Sequence, residues 1–137
     1  MKVAVIVPAA GLGTRMGRSS AERAGTSRKQ FMLLEGSPIM LHTVRKFAAS
    51  GRVHEIVVAV RSEDLEWVAD LLAREFRPGL VRVVEGGNSR QQSVENALST
   101  VAPDTGLVAI HDAVRPFIDI ETIGKVLDEA EIGRAHV

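Results

Sequence analysis

VAVIVPAAGLGTRMG, residues 3–17, joins a continuous apolar run to a segment of glycines and other small residues. The run from Val3 to Val7 is typical of a strand that is buried on both faces of a parallel sheet. Glycines and alanines directly after such a strand allow backbone N–H groups to turn inward around a phosphate chain. Met16 stands where a dinucleotide-binding fingerprint needs its third glycine, and the Gly-Lys-Ser/Thr ending of a Walker loop is missing. The stretch therefore predicts a phosphate-binding loop of another kind after the first strand.

Strands and helices are predicted to alternate along the rest of the chain. Runs of β-branched residues predict further strands at residues 55–60, 80–84 and 107–110. This βαβαβαβα order implies right-handed crossovers and helices on both faces of the sheet. The predicted fold class is a three-layer α/β/α, Rossmann-like arrangement around a mostly parallel sheet. Ligands of such sheets bind at the carboxyl ends of the strands, so the loops that follow the strands are the candidate site.

Capping residues predict where the helices begin. Ser37 is the expected N-cap of the first helix, with Pro38 in its first turn, and Ser62 is the expected N-cap of the second. Ser89 and Gln92 have the spacing of a capping box at the start of the third helix. The apolar stripe of that third helix is expected to consist of Val94, Ala97, Leu98 and Val101.

Composition excludes several classes of function. The 137 residues are 45% hydrophobic and 25% charged, which is ordinary for one globular domain. Lys plus Arg and Asp plus Glu both total 17, so no basic field favours nucleic acid or an anionic membrane surface. The absence of cysteine excludes disulfides, thiolate metal sites and a cysteine nucleophile. The apolar run near the start is too short to span a membrane, and we expect a soluble, cytoplasmic protein.

Two cations accompany the first loop. Arg15 lies within it and Lys29 follows it, and two fixed positive charges beside backbone N–H groups are suited to neutralise a triphosphate. The intervening segment, residues 18–28, is expected either to fold over a bound nucleotide or to be a solvated linker. Its charged side chains are expected to be solvated and without specific function; they are Arg18, Glu22, Arg23 and Arg28.

Two later loops carry further candidates. Gly86 and Gly87 permit close approach by a planar ligand, and Ser93 can present its hydroxyl to a base or phosphate. Alternatively, the glycines form a simple tight turn and Ser93 is an exposed helix residue. Asp112, three residues before Arg115, suits a polar substrate near a Mg²⁺-bound phosphate, or the two residues form a structural ion pair. His111 is expected to be an oriented strand-end residue, and without ligands at the right spacing no zinc site is expected.

Together these segments resemble the 2-C-methyl-D-erythritol 4-phosphate cytidylyltransferases. The matching stretches are PAAGLGTRM from Pro8, KQF from Lys29, GGNSRQQSV from Gly86 and HDAVRP from His111, in family order over residues 2–130. The resemblance implies a nucleotidyltransferase fold and a Mg²⁺-dependent reaction of the non-mevalonate isoprenoid pathway. In that reaction CTP and 2-C-methyl-D-erythritol 4-phosphate, a sugar-alcohol phosphate, give CDP-methylerythritol and pyrophosphate.

The same resemblance implies roles for individual residues. Arg15 and Lys29 would be catalytic and would stabilise the pentavalent transition state. Asp112 and Arg115 would bind the methylerythritol phosphate, and Mg²⁺ would be held mainly by the phosphates of CTP rather than by the protein. The residues expected to bind the nucleotide are Pro8, Ala9, Ala10, Gly11, Gly13, Gly86, Gly87 and Ser93.

The chain departs from the family pattern in two respects. The segment from Met16 to Lys29 is longer than the usual link, and Arg28 stands where a proline commonly precedes the lysine. Arg28 is therefore the substitute candidate for the role of Lys29. Family members also continue well beyond residue 137, with an arm that builds a homodimer and with further substrate-binding residues. We expect the longer parent to be a homodimer and the 137-residue chain itself to be inactive or nearly so.

Two other functions are compatible with the same motifs. Ribitol-5-phosphate cytidylyltransferase shares the first loop and the HDAVRP type of motif, and differs in its acceptor. The stretch Gln91-Gln92-Ser93 favours methylerythritol phosphate as the acceptor. A non-catalytic CTP-binding module is the second alternative. A dinucleotide-binding dehydrogenase is disfavoured by the missing third glycine.

The end of the chain is predicted to be of a different origin. A last helix is expected at residues 119–130, but the following EIGRAHV, residues 131–137, matches the translation of a common sequencing adapter in one reading frame. We therefore expect an incomplete nucleotidyltransferase domain over residues 1–131 and a non-native tail over residues 132–137. No function is expected for His136.

Overall fold

The computed structural model describes residues 2–10, 33–34 and 37–112. Strands and helices alternate through this part of the chain as the sequence predicts. In chain order the elements are β1 (Val3–Pro8), β2 (Leu33–Leu34), β3 (Ser37–Pro38), α1 (Ile39–Ala48), β4 (Glu55–Val60), a 3₁₀ turn (Ser62–Asp64), α2 (Leu65–Glu75), β5 (Val81–Glu85), α3 (Arg90–Leu98) and β6 (Leu107–Ile110).

Four of the strands form one parallel sheet in the order β5-β4-β1-β6. Val5 in the centre of β1 pairs with Ile56 of β4 on one side and with Ala109 of β6 on the other. The chain runs outward from β1 to β5 and then returns to the opposite side of β1. The order of strands therefore reverses between β1 and β6, which is where sheets of this kind bind their ligands. The Rossmann-like α/β prediction is confirmed.

Apolar residues cover both faces of the sheet. On one face, Val5 and Val7 of β1 belong to the same buried cluster as Phe47 of α1 and Leu72 of α2. On the other face, Ile6 and Val57 pack with Ala97 of α3. Every residue of β1 is buried, as its continuous apolar sequence predicts. The three layers are therefore α1 and α2, the sheet, and α3.

Two of the three predicted N-caps are wrong. Ser37 does not cap α1, because Ser37 and Pro38 pair with β2 as a short antiparallel strand and the helix begins one residue later. Ser62 starts the 3₁₀ turn, and the residue at the N-cap of α2 is the buried Asp64. The capping box of α3 is confirmed in its main bond, since Ser89 Oγ accepts a hydrogen bond from the N–H of Gln92 at 3.1 Å.

The predicted apolar stripe of α3 is partly wrong. Ala97 is buried, and Val94 and Val101 pack beside it, but the Leu98 side chain is 42% exposed. The polar Ser93, one turn before Ala97, is fully buried in its place. The face of α3 that packs on the sheet therefore contains Ser93 and Ala97, four positions apart, and Leu98 lies beside this face.

Several predictions fall outside the described residues. These include the helix at 119–130, the tail at 132–137 and the site residues Gly11, Gly13, Arg15, Lys29 and Arg115. Within the described ranges, no helix has the length and apolar character that crossing a membrane requires.

A mostly buried carboxylate joins the amino-terminal ends of the strands to the loop before β6. Glu55, whose side chain is 13% exposed, accepts hydrogen bonds from Arg82 Nη1 at 2.9 Å and from the N–H of Ala102 at 3.0 Å. Burial alone raises the pKa of Glu55. The hydrogen bonds from Ala102 and Arg82, with the charges of Arg82 and Lys2, outweigh that effect and lower the pKa below its ordinary value. The charged form of Glu55 therefore stabilises the fold.

Replacing Glu55 by glutamine is expected to lower the free energy of unfolding at pH 7 by about 1–2 kcal/mol. Because the pKa of Glu55 is lowered on folding, the carboxylate stabilises the protein above its unfolded pKa, and that stability is lost as the pH falls through the folded pKa. The difference between parent and variant is therefore expected to shrink between about pH 5 and pH 3. Urea unfolding at a series of pH values measures it. Asp70→Asn, at an exposed acidic residue of α2, is the control and is expected to behave like the parent. A pH-independent difference would contradict the prediction.

Candidate nucleotide-binding site

The loops that follow the strands are each hydrogen-bonded to a neighbouring strand at the carboxyl edge of the sheet. The N–H of Ala9 donates to a carbonyl oxygen of β4 at 2.8 Å, and the N–H of Gly86 donates to the last carbonyl oxygen of β4 at 2.7 Å. The N–H of His111 donates to a carbonyl oxygen of β1 at 2.9 Å. The parallel hydrogen-bonding pattern thus continues past the strand ends. The three candidate segments of the sequence therefore start from one rigid edge.

Gly86 brings the turn after β5 into contact with the loop after β1. A Cβ atom placed on Gly86 would lie 2.5 Å from the Cβ of Ala10 and 2.7 Å from the Oγ of Ser93. Both distances are far below van der Waals contact, so only glycine fits at this position without a shift of its neighbours. The structure therefore brings together Ala10, Gly86 and Ser93, which the sequence placed in two separate motifs.

Side chains of α3 hold the shape of the turn at residues 86–88. The buried Ser93 Oγ accepts a hydrogen bond from the N–H of Gly87 at 3.0 Å, and Gln92 Oε1 accepts one from the N–H of Asn88 at 3.1 Å. The alternative in which Ser93 is an exposed helix residue is wrong. A hydroxyl that accepts one hydrogen bond can still donate its own hydrogen, so the predicted contact of Ser93 with a nucleotide stays a prediction.

Asp112 meets a partner that sequence reasoning did not single out. Arg90 Nε, in the first residue of α3, donates to Asp112 Oδ1 at 3.1 Å. The Asp112 side chain is 32% exposed, whereas that of Arg90 is 58% exposed. One signal in the sequence could have pointed to Arg90. A cation at the positive end of a helix is unfavourable, and no acidic residue lies in the first turn of α3 to offset it. A cation in this position is therefore expected to pair with a carboxylate from another part of the fold.

His111 lies at the end of β6 and is buried. Its ring meets the edge of the Phe47 ring of α1, with centroids 5.2 Å apart and an angle of 66° between the planes. This packing connects the loop after β6 to the helical layer on one face of the sheet. Its surroundings are those of an oriented residue at a strand end, as the sequence predicts.

The fold and the site together define a class of protein. It is a Rossmann-like α/β protein whose loops of small residues pack at the carboxyl edge of the sheet. The model of the IspD family, 2-C-methyl-D-erythritol 4-phosphate cytidylyltransferase, matches residues 3–137. The chain belongs to this family.

Individual relatives agree with this assignment. The 2-C-methyl-D-erythritol 4-phosphate cytidylyltransferase of Solibacter usitatus is 71% identical over 138 residues, which are 100% of this chain and 57% of the relative. That of Acidobacterium capsulatum is 46% identical, with the same coverage of 100% and 57%. The crystal structure of 4-diphosphocytidyl-2C-methyl-D-erythritol synthase from Anaerococcus prevotii superimposes with a TM-score of 0.76 at 25% identity, covering 95% of this chain and 51% of that one. The chain spans little more than half the length of these three relatives.

Proposed function

We propose that this chain forms the CTP-binding part of an enzyme that transfers CMP from CTP to 2-C-methyl-D-erythritol 4-phosphate and releases pyrophosphate. The observation that carries the proposal is the contact of Gly86 with Ala10 and Ser93, because it joins the two loops that the family resemblance assigns to the nucleotide. Membership of the family supports the reaction. We also propose that the longer enzyme is a cytoplasmic homodimer.

The proposed reaction is an in-line displacement at the α-phosphorus of CTP. A phosphate oxygen of the acceptor forms the new bond to phosphorus, and the bond to the bridging oxygen breaks as pyrophosphate leaves with the electron pair. Such a reaction depends mainly on the positioning of the reactants and the neutralisation of their negative charge. Arg15 and Lys29, both outside the described residues, are proposed to neutralise that charge.

The turn after β5 is suited to a cytosine base. The N–H groups of Gly86, Gly87 and Asn88 are all engaged, with β4, Ser93 and Gln92 respectively. A base edge placed against this turn would therefore meet carbonyl oxygens, which accept hydrogen bonds. The 4-amino group of cytosine donates, whereas the 4-oxo group of uracil only accepts. This difference supports CTP as the nucleotide.

The other proposed contacts follow from the same placement. The backbone from Pro8, the last residue of β1, to Gly13 is proposed to hold the triphosphate, because Pro8, Ala9 and Ala10 lead out from the carboxyl end of a central strand. Gly86, Gly87 and Ser93 would contact the cytosine side of the nucleotide. Asp112 and Arg115 would contact the acceptor.

The residues present fit a magnesium ion that is held mainly by CTP. Within the described ranges no group of three His, Asp or Glu side chains could hold a metal ion. Asp112 is a carboxylate at the carboxyl edge, and Mg²⁺ commonly combines one or two protein carboxylates with phosphate oxygens and water. Asp112 would therefore be the protein group nearest to this role. When bound, the ion would reduce the negative charge on the phosphates.

An acceptor comparison tests the proposal. For turnover assays we define the joined enzyme as residues 1–131 of this chain followed by the part of the Solibacter usitatus relative that lies beyond the position aligned with residue 131. With Mg²⁺ and CTP, it is expected to release pyrophosphate at least tenfold faster with methylerythritol phosphate than with ribitol 5-phosphate, because a polar site rejects a mismatched hydroxyl pattern. Enzymatic detection of pyrophosphate measures both rates.

The outcomes separate the alternatives. Turnover with ribitol 5-phosphate alone would contradict the proposed acceptor. CTP binding by calorimetry without turnover of either acceptor would instead indicate a CTP-binding module. The full-length Solibacter usitatus relative, assayed beside the joined enzyme, controls for the condition of the acceptor preparations.

A further inference from the structure

The ion pair of Arg90 and Asp112 crosses the candidate site. Arg90 follows the turn after β5, and Asp112 follows β6. These two strands lie at opposite edges of the described four-stranded sheet, with β4 and β1 between them. The 3.1 Å bond from Arg90 Nε to Asp112 Oδ1 therefore links the outer loops across the carboxyl ends of the two central strands.

Stability does not account for this pair. An exposed ion pair contributes little to the stability of a fold, and more than half of the Arg90 side chain is exposed. Arg90 also places its positive charge at the end of α3 where the helix dipole is positive, an unfavourable position. The local sequence of α3 thus disfavours a cation here, and the favourable contact of this side chain is with Asp112.

We propose that Arg90 is a positioning residue that acts through Asp112. By donating to one carboxylate oxygen from a helix terminus, Arg90 fixes the orientation of the Asp112 side chain at the point where the strand order reverses. The Asp112 carboxylate is thereby held in a fixed orientation for contact with the acceptor or with the ion on its phosphates. This inference rests on the proposed function, because Asp112 needs a fixed orientation only if it contacts a reactant.

The turn that precedes Arg90 supports a positioning role. Gly87 and Asn88 are held to Ser93 and Gln92 of α3, so the start of the helix and the turn form one unit. Gly86 in turn packs against Ala10. The backbone of Arg90 is therefore held in place by the turn and the helix. Its partner Asp112 lies two residues beyond β6 of the same sheet. Arg90 is thus carried by a helix terminus, and Asp112 directly follows His111, whose N–H is bonded to β1, so both ends of the ion pair lie close to regular structure, as precise orientation requires.

A double-mutant cycle in the joined enzyme tests the proposal. Arg90→Ala is expected to lower kcat by about tenfold, since small misplacements of reacting groups have effects of this order. In an Asp112→Asn background the same change is expected to lower kcat less than about twofold, because its partner is already altered. Arg90→Lys is expected to recover most of the rate, because the contact is a single hydrogen bond that an ammonium group can make. The melting temperature is expected to stay within about 2 °C of the parent.

Arg74→Ala is the matched control. Arg74 is an exposed arginine of α2, on the opposite face of the sheet, and its removal changes the net charge by the same amount. It is expected to leave kcat unchanged. An unchanged kcat in Arg90→Ala, an equal fall in both Asp112 backgrounds, or failure of Arg90→Lys to recover activity would each overturn the proposal.

Calorimetry with CTP and Mg²⁺ distinguishes this failure from failure of the proposed function. If the parent binds CTP but transfers nothing, the proposed function is wrong and kcat cannot be compared. The cycle is then completed on the dissociation constant for CTP. There, Arg90→Ala is expected to weaken binding about threefold in the parent and not at all in Asp112→Asn. Equal weakening in both backgrounds, or none in either, overturns the role of Arg90.

Discussion

Replacing Arg15 with alanine in the joined enzyme is expected to lower the rate of pyrophosphate release by about 100-fold or more. CTP affinity is expected to fall far less. Negative charge on the oxygens around the α-phosphorus is redistributed as the leaving pyrophosphate departs, and a cation fixed beside it stabilises the transition state more than the bound substrate. Single-turnover kinetics, together with calorimetry for CTP, measure the two effects separately.

Arg18→Ala is the control for this experiment, because Arg18 is a nearby arginine with no predicted role. It is expected to retain the parent rate. Lys29→Ala and Arg28→Ala show which of these two residues has the second catalytic role. Only the residue that neutralises the charge of the triphosphate is expected to give a loss of rate comparable to that of Arg15→Ala. Equal losses of rate and of CTP affinity in Arg15→Ala would favour a binding module over an enzyme.

The central strands were predictable because they are buried on both sides. The range 55–60 agrees with β4, and the run that starts at Val3 is β1. The strand β6, at one edge of the described sheet, also has its predicted bounds, 107–110, although it is only partly buried. A strand covered by helices on both faces has a nearly continuous apolar sequence, and among the four strands of the described sheet β1 and β4 are the two that are buried along nearly their whole length. The strand predicted at 80–84 is displaced by one residue, to Val81–Glu85, where burial is only partial.

Helix starts were less predictable because a capping side chain competes with other local backbone structures, such as a hairpin or a 3₁₀ turn. Ser37 has the right residue type for an N-cap, but its backbone is engaged with β2. Ser62 begins a 3₁₀ turn, which moves the helix start to Leu65. Ser89 is a true cap because the residues before it are held by α3 itself. A residue of the right type becomes a cap only where its backbone is not already used by a neighbouring hairpin or turn.

In the candidate site, too, some features were predictable from the sequence and others were not. Its three segments were recognisable along the sequence, since each follows a predicted strand. The contact of Gly86 with Ala10 and the bond of Arg90 to Asp112 were not, because they join residues far apart in the chain. Spacing predicts what lies on one element, whereas contacts between loops depend on the order of strands in the sheet.

The joining of the two loops leads to the last prediction. Gly86→Ala is expected to weaken CTP binding by at least tenfold and to lower the free energy of unfolding by about 1–3 kcal/mol. The new methyl group would lie 2.5 Å from the Cβ of Ala10, an atom fixed directly to the backbone, so either the loop after β1 or the turn after β5 must move. Calorimetry with CTP and thermal unfolding of this chain measure the two effects.

Two further variants test whether the loss of CTP affinity comes from the contact between residues 86 and 10. Gly79→Ala introduces a side chain at a φ of +90° with no atom within 4 Å, so it is expected to cost about 1 kcal/mol and to leave CTP binding unchanged. Ala10→Gly combined with Gly86→Ala removes the closest contact and is expected to restore part of the affinity. A Gly86→Ala protein that binds CTP like the parent would show that the two loops do not form one nucleotide site. Restoration by Ala10→Gly, by contrast, would show that the nucleotide depends on how closely they approach.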